Sequence, residues 1–268
     1  MEEAKKKVHD FWNEASCGEA LFLKDNTAEA YAEHANIRYV LEPCIPEFAQ
    51  FPTHKGKKVL EIGLGVGADH QCWAEAGVDL YGVDLTERAV QHTTHRLKTF
   101  GLKSNLQTGD AENLPFEDNT FDLIYSWGVL HCSPDTTKAI NEVHRVLKPG
   151  GQARIMIYHK YSFVGYMLWL RYGLLKLKPF TSLEEIYDKY LESPGTKAYS
   201  IEGGKKLFEK YSNVEIETIL CHGDLLTSEA GQRHRGPLLV LARAIWPRWI
   251  IKTFFKGHGL FMMINAKK

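Results

Sequence analysis

No C-x-x-C pair occurs anywhere in these 268 residues, and the five cysteines (Cys17, Cys44, Cys72, Cys132, Cys221) are scattered and odd in number. That excludes a disulfide framework or a zinc knuckle as the organising device, and no metal site is expected. Net charge is missing too. Lys+Arg and Asp+Glu both total 33, so no overall field draws the chain to nucleic acid or to anionic membranes. No uninterrupted apolar run approaches the roughly 18–20 residues that cross a bilayer. The opening MEEAKKKVHDFW has basic residues but no apolar segment behind them, as a secretory signal would require. A cytoplasmic, reducing setting is therefore the expectation. Tandem repeats and low-complexity linkers are absent as well. With 44% hydrophobic residues, the chain reads as one α/β domain over residues 1–268, carrying insertions.

What is present is an alternation. Residues 1–55 read as a helical, aromatic-sprinkled cap. Short buried strands follow at 58–62, 79–84, 105–108, 121–126 and 152–158, with helical stretches between them. Thr86 is placed to cap the helix from Glu87, and Ser133 the helix that runs toward Val146. This spacing predicts a doubly wound parallel sheet with helices on both faces, its ligand lying along the strand C-termini. The core spans 56–160. Two stretches, 161–199 and 221–258, break the rhythm around a helix and a strand near 201–220, and a final strand is expected at 260–265.

Gly63-Leu64-Gly65-Val66-Gly67 falls between a strand and a helix, where glycine permits a sharp turn and close approach of a ligand to the backbone. Asp84 ends the next strand, at the position where a carboxylate accepts ribose hydroxyls. An adenosine ligand is implied. Because Gly63, Gly65 and Ala68 also satisfy G-x-G-x-x-A, an NAD(P)-dependent oxidoreductase stays open at this point.

Further segments narrow the choice. Val59-Leu60-Glu61-Ile62 leads into the glycine loop, and Gly109-Asp110-Ala111-Glu112-Asn113-Leu114-Pro115-Phe116 follows the third strand. Phe121-Asp122-Leu123-Ile124-Tyr125-Ser126-Trp127-Gly128-Val129-Leu130-His131 and Val146-Leu147-Lys148-Pro149-Gly150-Gly151 complete the set. In this order the segments resemble the small-molecule branch of the class I S-adenosylmethionine-dependent methyltransferases. The resemblance runs from about Lys57 to Tyr158. It implies a Rossmann-like seven-stranded sheet with the last strand antiparallel, and S-adenosylmethionine as cofactor. It also implies roles. Gly63, Gly65 and Gly67 would lie against methionine and ribose, and Glu61 would hold the amino group. Asp84 would take the ribose diol with Leu85 beside the adenine. Asp110, Ala111 and Glu112 would flank the adenine, while Ser126 and Trp127 would line the cofactor. A non-catalytic S-adenosylmethionine-binding protein is the reading from a different class.

Methyl transfer needs alignment and exclusion of water more than a dedicated catalytic group. Candidates for a proton acceptor are histidines at strand ends: His159, His222 (with Asp224 two residues on) and His131. Trp12, Tyr31 and Arg38 are candidates to help close the cofactor site. Gln232-Arg233-His234-Arg235-Gly236 offers arginines for an anionic acceptor group. Both insertions are rich in apolar and aromatic residues, as in Phe163–Leu170 and in Trp246, Trp249, Phe254 and Phe255. A lid over a small, partly hydrophobic acceptor is the expectation. A homodimer interface and peripheral membrane contact are the alternatives.

Overall fold

The structure is a computed structural model that describes residues 2–228 and 237–268. Four helices lead into the sheet: α1 (Glu2–Glu14), α2 (Glu19–Phe22), α3 (Ala28–Leu41) and α4 (Cys44–Ala49). The alternating core follows as β1 (Lys58–Ile62), α5 (Ala68–Glu75), β2 (Asp79–Asp84), α6 (Glu87–Thr99), β3 (Asn105–Thr108), β4 (Phe121–Trp127), α7 (Thr136–Val146) and β5 (Leu147–Tyr158). The first insertion holds α8 (Phe163–Tyr172) and α9 (Leu183–Tyr190). Next come α10 (Ile201–Leu207) and β6 (Asn213–Ile219). The second insertion holds α11 (His222–Leu225), α12 (Pro237–Ile245) and α13 (Arg248–Phe254), before β7 (Phe261–Lys267).

The seven strands lie in the order β3-β2-β1-β4-β5-β7-β6. The first five pair in parallel, and β7 runs antiparallel between β5 and β6. Residues alternate across the pleat, so neighbours in one strand feed opposite layers. Leu60, Ile62, Ile124 and Ile155 pack under α7 with Ile140 and Val143. Val59, Leu123, Tyr125 and Met156 join Trp73 and Phe51 on the other face, where the Trp73 ring lies 4.6 Å from Phe51 and 5.6 Å from Tyr125. Burial on both faces explains why β1 and β4 are apolar runs, whereas the edge strand β6 alternates exposed and half-buried residues.

Helix starts follow local capping chemistry. The Thr86 side chain accepts from the Ala89 amide and opens α6. Ser133 does not cap α7, contrary to expectation. Its hydroxyl donates to Glu112 Oε1 at 2.7 Å, and the helix begins only at Thr136. Asp135 caps instead, accepting from the Lys138 amide.

Candidate functional site

From β1 the sheet grows one way through β2 and β3 and the other way through β4, so the crevice at the C-terminal end of β1 is the topological switch point. The loop leaving β1 turns with Gly63 at φ 87°, Gly65 at φ 53° and Gly67 at φ 77°. A Cβ at Gly63 would sit 2.0 Å from Val129 Cγ2. Packing against the β4–α7 loop therefore excludes any side chain there. At Gly65 a Cβ would meet nothing within 4 Å. Its demand comes from the left-handed backbone and from the open cavity it faces. Asp84 is held beside this loop, with Oδ2 accepting from the Leu64 amide at 2.7 Å and Oδ1 from the Thr86 amide and hydroxyl at 2.9 and 2.8 Å.

Beneath the loop lies a buried polar layer. Glu61 Oε2 is 2.8 Å from His70 Nδ1, and His70 Nε2 is 2.8 Å from Ser104 Oγ, whose proton goes to Leu80 O at 2.9 Å. Ser104 must then accept from Nε2–H, so a neutral imidazole would accept at Nδ1 from a protonated Glu61. Charge energetics agree. Burial, reinforced by the Asp69 carboxylate, pushes Glu61 well above the usual carboxylate range, and burial pushes His70 down to about 3. Both shifts favour the uncharged forms of the pair. Asp69 behaves oppositely. Burial raises it, but Arg38 overrides that through a bidentate contact at 2.9 and 2.7 Å, and the Tyr39 and Tyr125 hydroxyls donate to it as well.

A cavity of about 610 Å³ opens from this crevice. One end is lined by Glu61, Gly63, Gly65, Gly67, Asp84, Leu85, Asp110, Ala111 and Trp127, with Trp12 and Arg38 from the N-terminal helices. Lys5 of α1 reaches across to Asp110 Oδ2 at 2.5 Å, so the first helix covers this end. Among the described residues, the far end is walled by Val164, Met167, Leu168, Leu226, Trp246 and Phe261, contributed by both insertions and β7.

Several expected site residues lie elsewhere. Glu112 does not reach the cavity. Its buried carboxylate accepts from Lys5, Ser133 and the Asp135 amide, tying the loop after β3 to the start of α7. Ser126 is fully buried and donates to Ile62 O at 2.8 Å, which joins β4 to β1. Tyr31 is buried against His95 and Arg96. His159 points away from the cavity, its Nδ1 3.1 Å from Gly259 O, because the chain there bridges to Tyr199. His131 is wholly buried under the Tyr158 ring at 4.1 Å with neither nitrogen partnered, and burial pushes it to about 3. His222 does line the cavity, with Nδ1 2.8 Å from Ser228 Oγ. Asp224 does not orient it. That carboxylate accepts from the Val164, Cys221 and Leu260 amides and pins the two insertions together. The 232–236 segment lies outside the described residues. Reasoning from sequence missed Lys5, Glu192 and Tyr158. The Tyr158 hydroxyl donates to Glu192 at 2.8 Å, and both residues line the far end. Their pairing spans an insertion of irregular length, which leaves no periodic signal.

The sheet order and the crevice define a Rossmann-like α/β protein with a nucleotide-type site. Residues 60–155 match the methyltransferase domain family. Malonyl-[acyl-carrier protein] O-methyltransferase of Erwinia billingiae is 36% identical over 128 residues, 47% of this chain and 47% of that protein. Demethylmenaquinone methyltransferase of Tropheryma whipplei is 32% identical over 151 residues, 55% of this chain and 62% of that protein. The matched stretches thus span about half of these relatives' lengths. Among solved structures, Haemonchus contortus phosphoethanolamine N-methyltransferase 2 in complex with S-adenosyl-L-methionine shares the fold at TM-score 0.60 and 18% identity, over 97% of this chain and 60% of that one. Residues 60–155 are thus similar to a methyltransferase domain, within a chain that shares the fold of S-adenosylmethionine-dependent methyltransferase structures.

Proposed function

We propose that this chain transfers a methyl group from S-adenosylmethionine to oxygen or nitrogen of a small, partly hydrophobic acceptor. The observation that carries this reading is one continuous cavity, with glycines and carboxylates at one end and apolar side chains at the other. The residues fit the cofactor. Gly65 leaves open space where a Cβ would stand, and the Asp84 and Asp110 carboxylates face the same cavity. When bound, S-adenosylmethionine supplies a sulfonium-activated methyl group. The protein's part is to orient and to exclude water. Asp84 holds a ribose diol, and Glu61 holds the amino group. Trp127, between Phe48 at 5.9 Å and Phe261 at 5.4 Å, forms a rigid wall where the two ends meet.

The two insertions act as the lid over the acceptor. Within it, burial holds His222 below its ordinary value, so its imidazole is neutral at pH 7. With Nδ1 paired to Ser228, Nε2 is the atom that takes a proton from an acceptor hydroxyl or amine. Calorimetric titration with S-adenosylhomocysteine, S-adenosylmethionine and NADPH tests the reading. Micromolar binding of the sulfur nucleosides alone is expected; binding of NADPH alone would make the oxidoreductase reading primary. Binding without turnover across a broad acceptor panel would favour a non-catalytic role.

A further inference from the structure

Twelve large hydrophobic side chains stand exposed among the described residues, and all but Val40 fall in two short stretches, 161–180 and 240–255. A soluble surface scatters such residues singly; a concentration marks something that covers it. In the first stretch Leu177 is 91% and Phe180 100% exposed, just beyond α8. In the second, Ile245, Trp249 and Phe254 are each about 70% exposed on α12 and α13. The stretches join, since the Phe163 ring of α8 meets Trp246 at 6.2 Å and Phe255 at 6.0 Å.

Charge along these two stretches is one-sided although the whole chain is neutral. Residues 161–183 contain no Asp or Glu and carry Arg171, Lys176 and Lys178. Residues 230–268 likewise contain no acidic residue and include Arg243, Arg248, Lys252 and Lys256. Lys176, Lys178, Lys252 and Lys256 are exposed among the apolar side chains. Leu170 and Leu175 are partly exposed and also line the cavity, so its mouth opens within the patch.

We infer that the two insertions form a docking face for an anionic lipid surface. Apolar and aromatic side chains enter the interfacial layer, lysines meet the headgroups, and the cavity mouth is brought against the bilayer. No helix among the described residues is long and apolar enough to cross a membrane, so the contact is peripheral. A second copy of the chain fits this face poorly, because a two-fold contact would set like charges against each other. If the methyl-transfer reading holds, the acceptor is lipid-borne and enters through this mouth.

Co-sedimentation of the full chain with vesicles of phosphatidylcholine alone, or mixed with phosphatidylglycerol, tests the inference. Partition into the phosphatidylglycerol vesicles is expected, weakened by high salt. The double substitution Leu177→Ser with Phe180→Ser should lower it about tenfold, and Lys176→Glu with Lys178→Glu should do likewise. These side chains are exposed, so thermal unfolding and S-adenosylhomocysteine affinity should stay unchanged. Absence of partition, equal partition into both vesicle types, or indifference to the substitutions would overturn the inference. So would a stable dimer in light scattering that the same substitutions dissolve. Loss of vesicle binding with nucleoside binding intact sinks only the docking face, and the reverse sinks only the cofactor reading.

Discussion

The two ends of the cavity are built from different materials. The end at the switch point is made of backbone and carboxylates fixed by the sheet. Leu64 and Thr86 hold Asp84, Ser104 and His70 hold Glu61, and Gly65 leaves its side of the loop open. The other end is made of apolar side chains on insertion helices, joined in part through one buried carboxylate, Asp224, which accepts from three amides. A nucleoside presents fixed hydroxyls, ring nitrogens and charge, which a rigid polar frame can match. An acceptor varies between relatives of one fold, and a side-chain wall changes without disturbing the sheet.

The largest difference should appear on substituting the polar end. Gly63→Val puts a side chain on a φ of 87° and into Val129, so a loss of about 3 kcal/mol or more in urea denaturation is expected. Leu170→Ser, at the partly exposed mouth of the other end, should stay within about 0.5 kcal/mol. Equal losses would erase the distinction.

Acid should lower the stability of the fold as a whole. Burial pushes His34 and His54 down to about 4 and His70 and His131 to about 3, while in the unfolded chain each titrates near ~6.5. Below that pH the unfolded state binds more protons. Stability is therefore fully present above it and is lost as pH falls toward 3. The thermal midpoint should drop on the order of 10 °C between neutral pH and mildly acidic pH; a flat profile would contradict the buried neutral state. His131→Phe removes two unpartnered nitrogens and should raise the midpoint, whereas His70→Phe strands Glu61 and should lower it.

Asp84→Ala should weaken S-adenosylhomocysteine binding tenfold or more, about 1.4 kcal/mol for a lost charge-assisted contact, in a calorimetric titration. Unchanged affinity in a folded variant would refute the ribose assignment. The smallest effect on the cofactor is expected from Met167→Trp, which narrows the apolar end. Nucleoside affinity should stay within about threefold while uptake of an apolar fluorescent probe falls about fivefold. A parallel loss of both would mean that the two ends are not separate sites.

The same contrast explains what was legible in the sequence. Strands β1, β2 and β4, the glycine loop and the strand-end position of Asp84 are local events, and residue order alone reveals them. Glu112 and Ser126 carry the right side chains near the right motif, yet both turn inward, because β4 and the start of α7 need their hydrogen bonds. His159 and His131 stand at strand ends as a base would, and what buries them is the insertion folded over them. Lys5 meets Asp110 across 105 residues of chain, a contact no local pattern reveals. The insertions read as apolar, but their division into a cavity wall and an exposed basic face appears only when Leu170 and Leu175 are placed in space.

The most direct test is a structure of the chain with S-adenosylhomocysteine bound. The nucleoside should lie between Asp84 and Asp110, with its amino acid part near Gly65 and Glu61 and its sulfur directed past Trp127 toward Met167 and His222. A nucleoside seated among the insertion helices, or one that leaves Asp84 uncontacted, would contradict the division of the cavity into a cofactor end and an acceptor end.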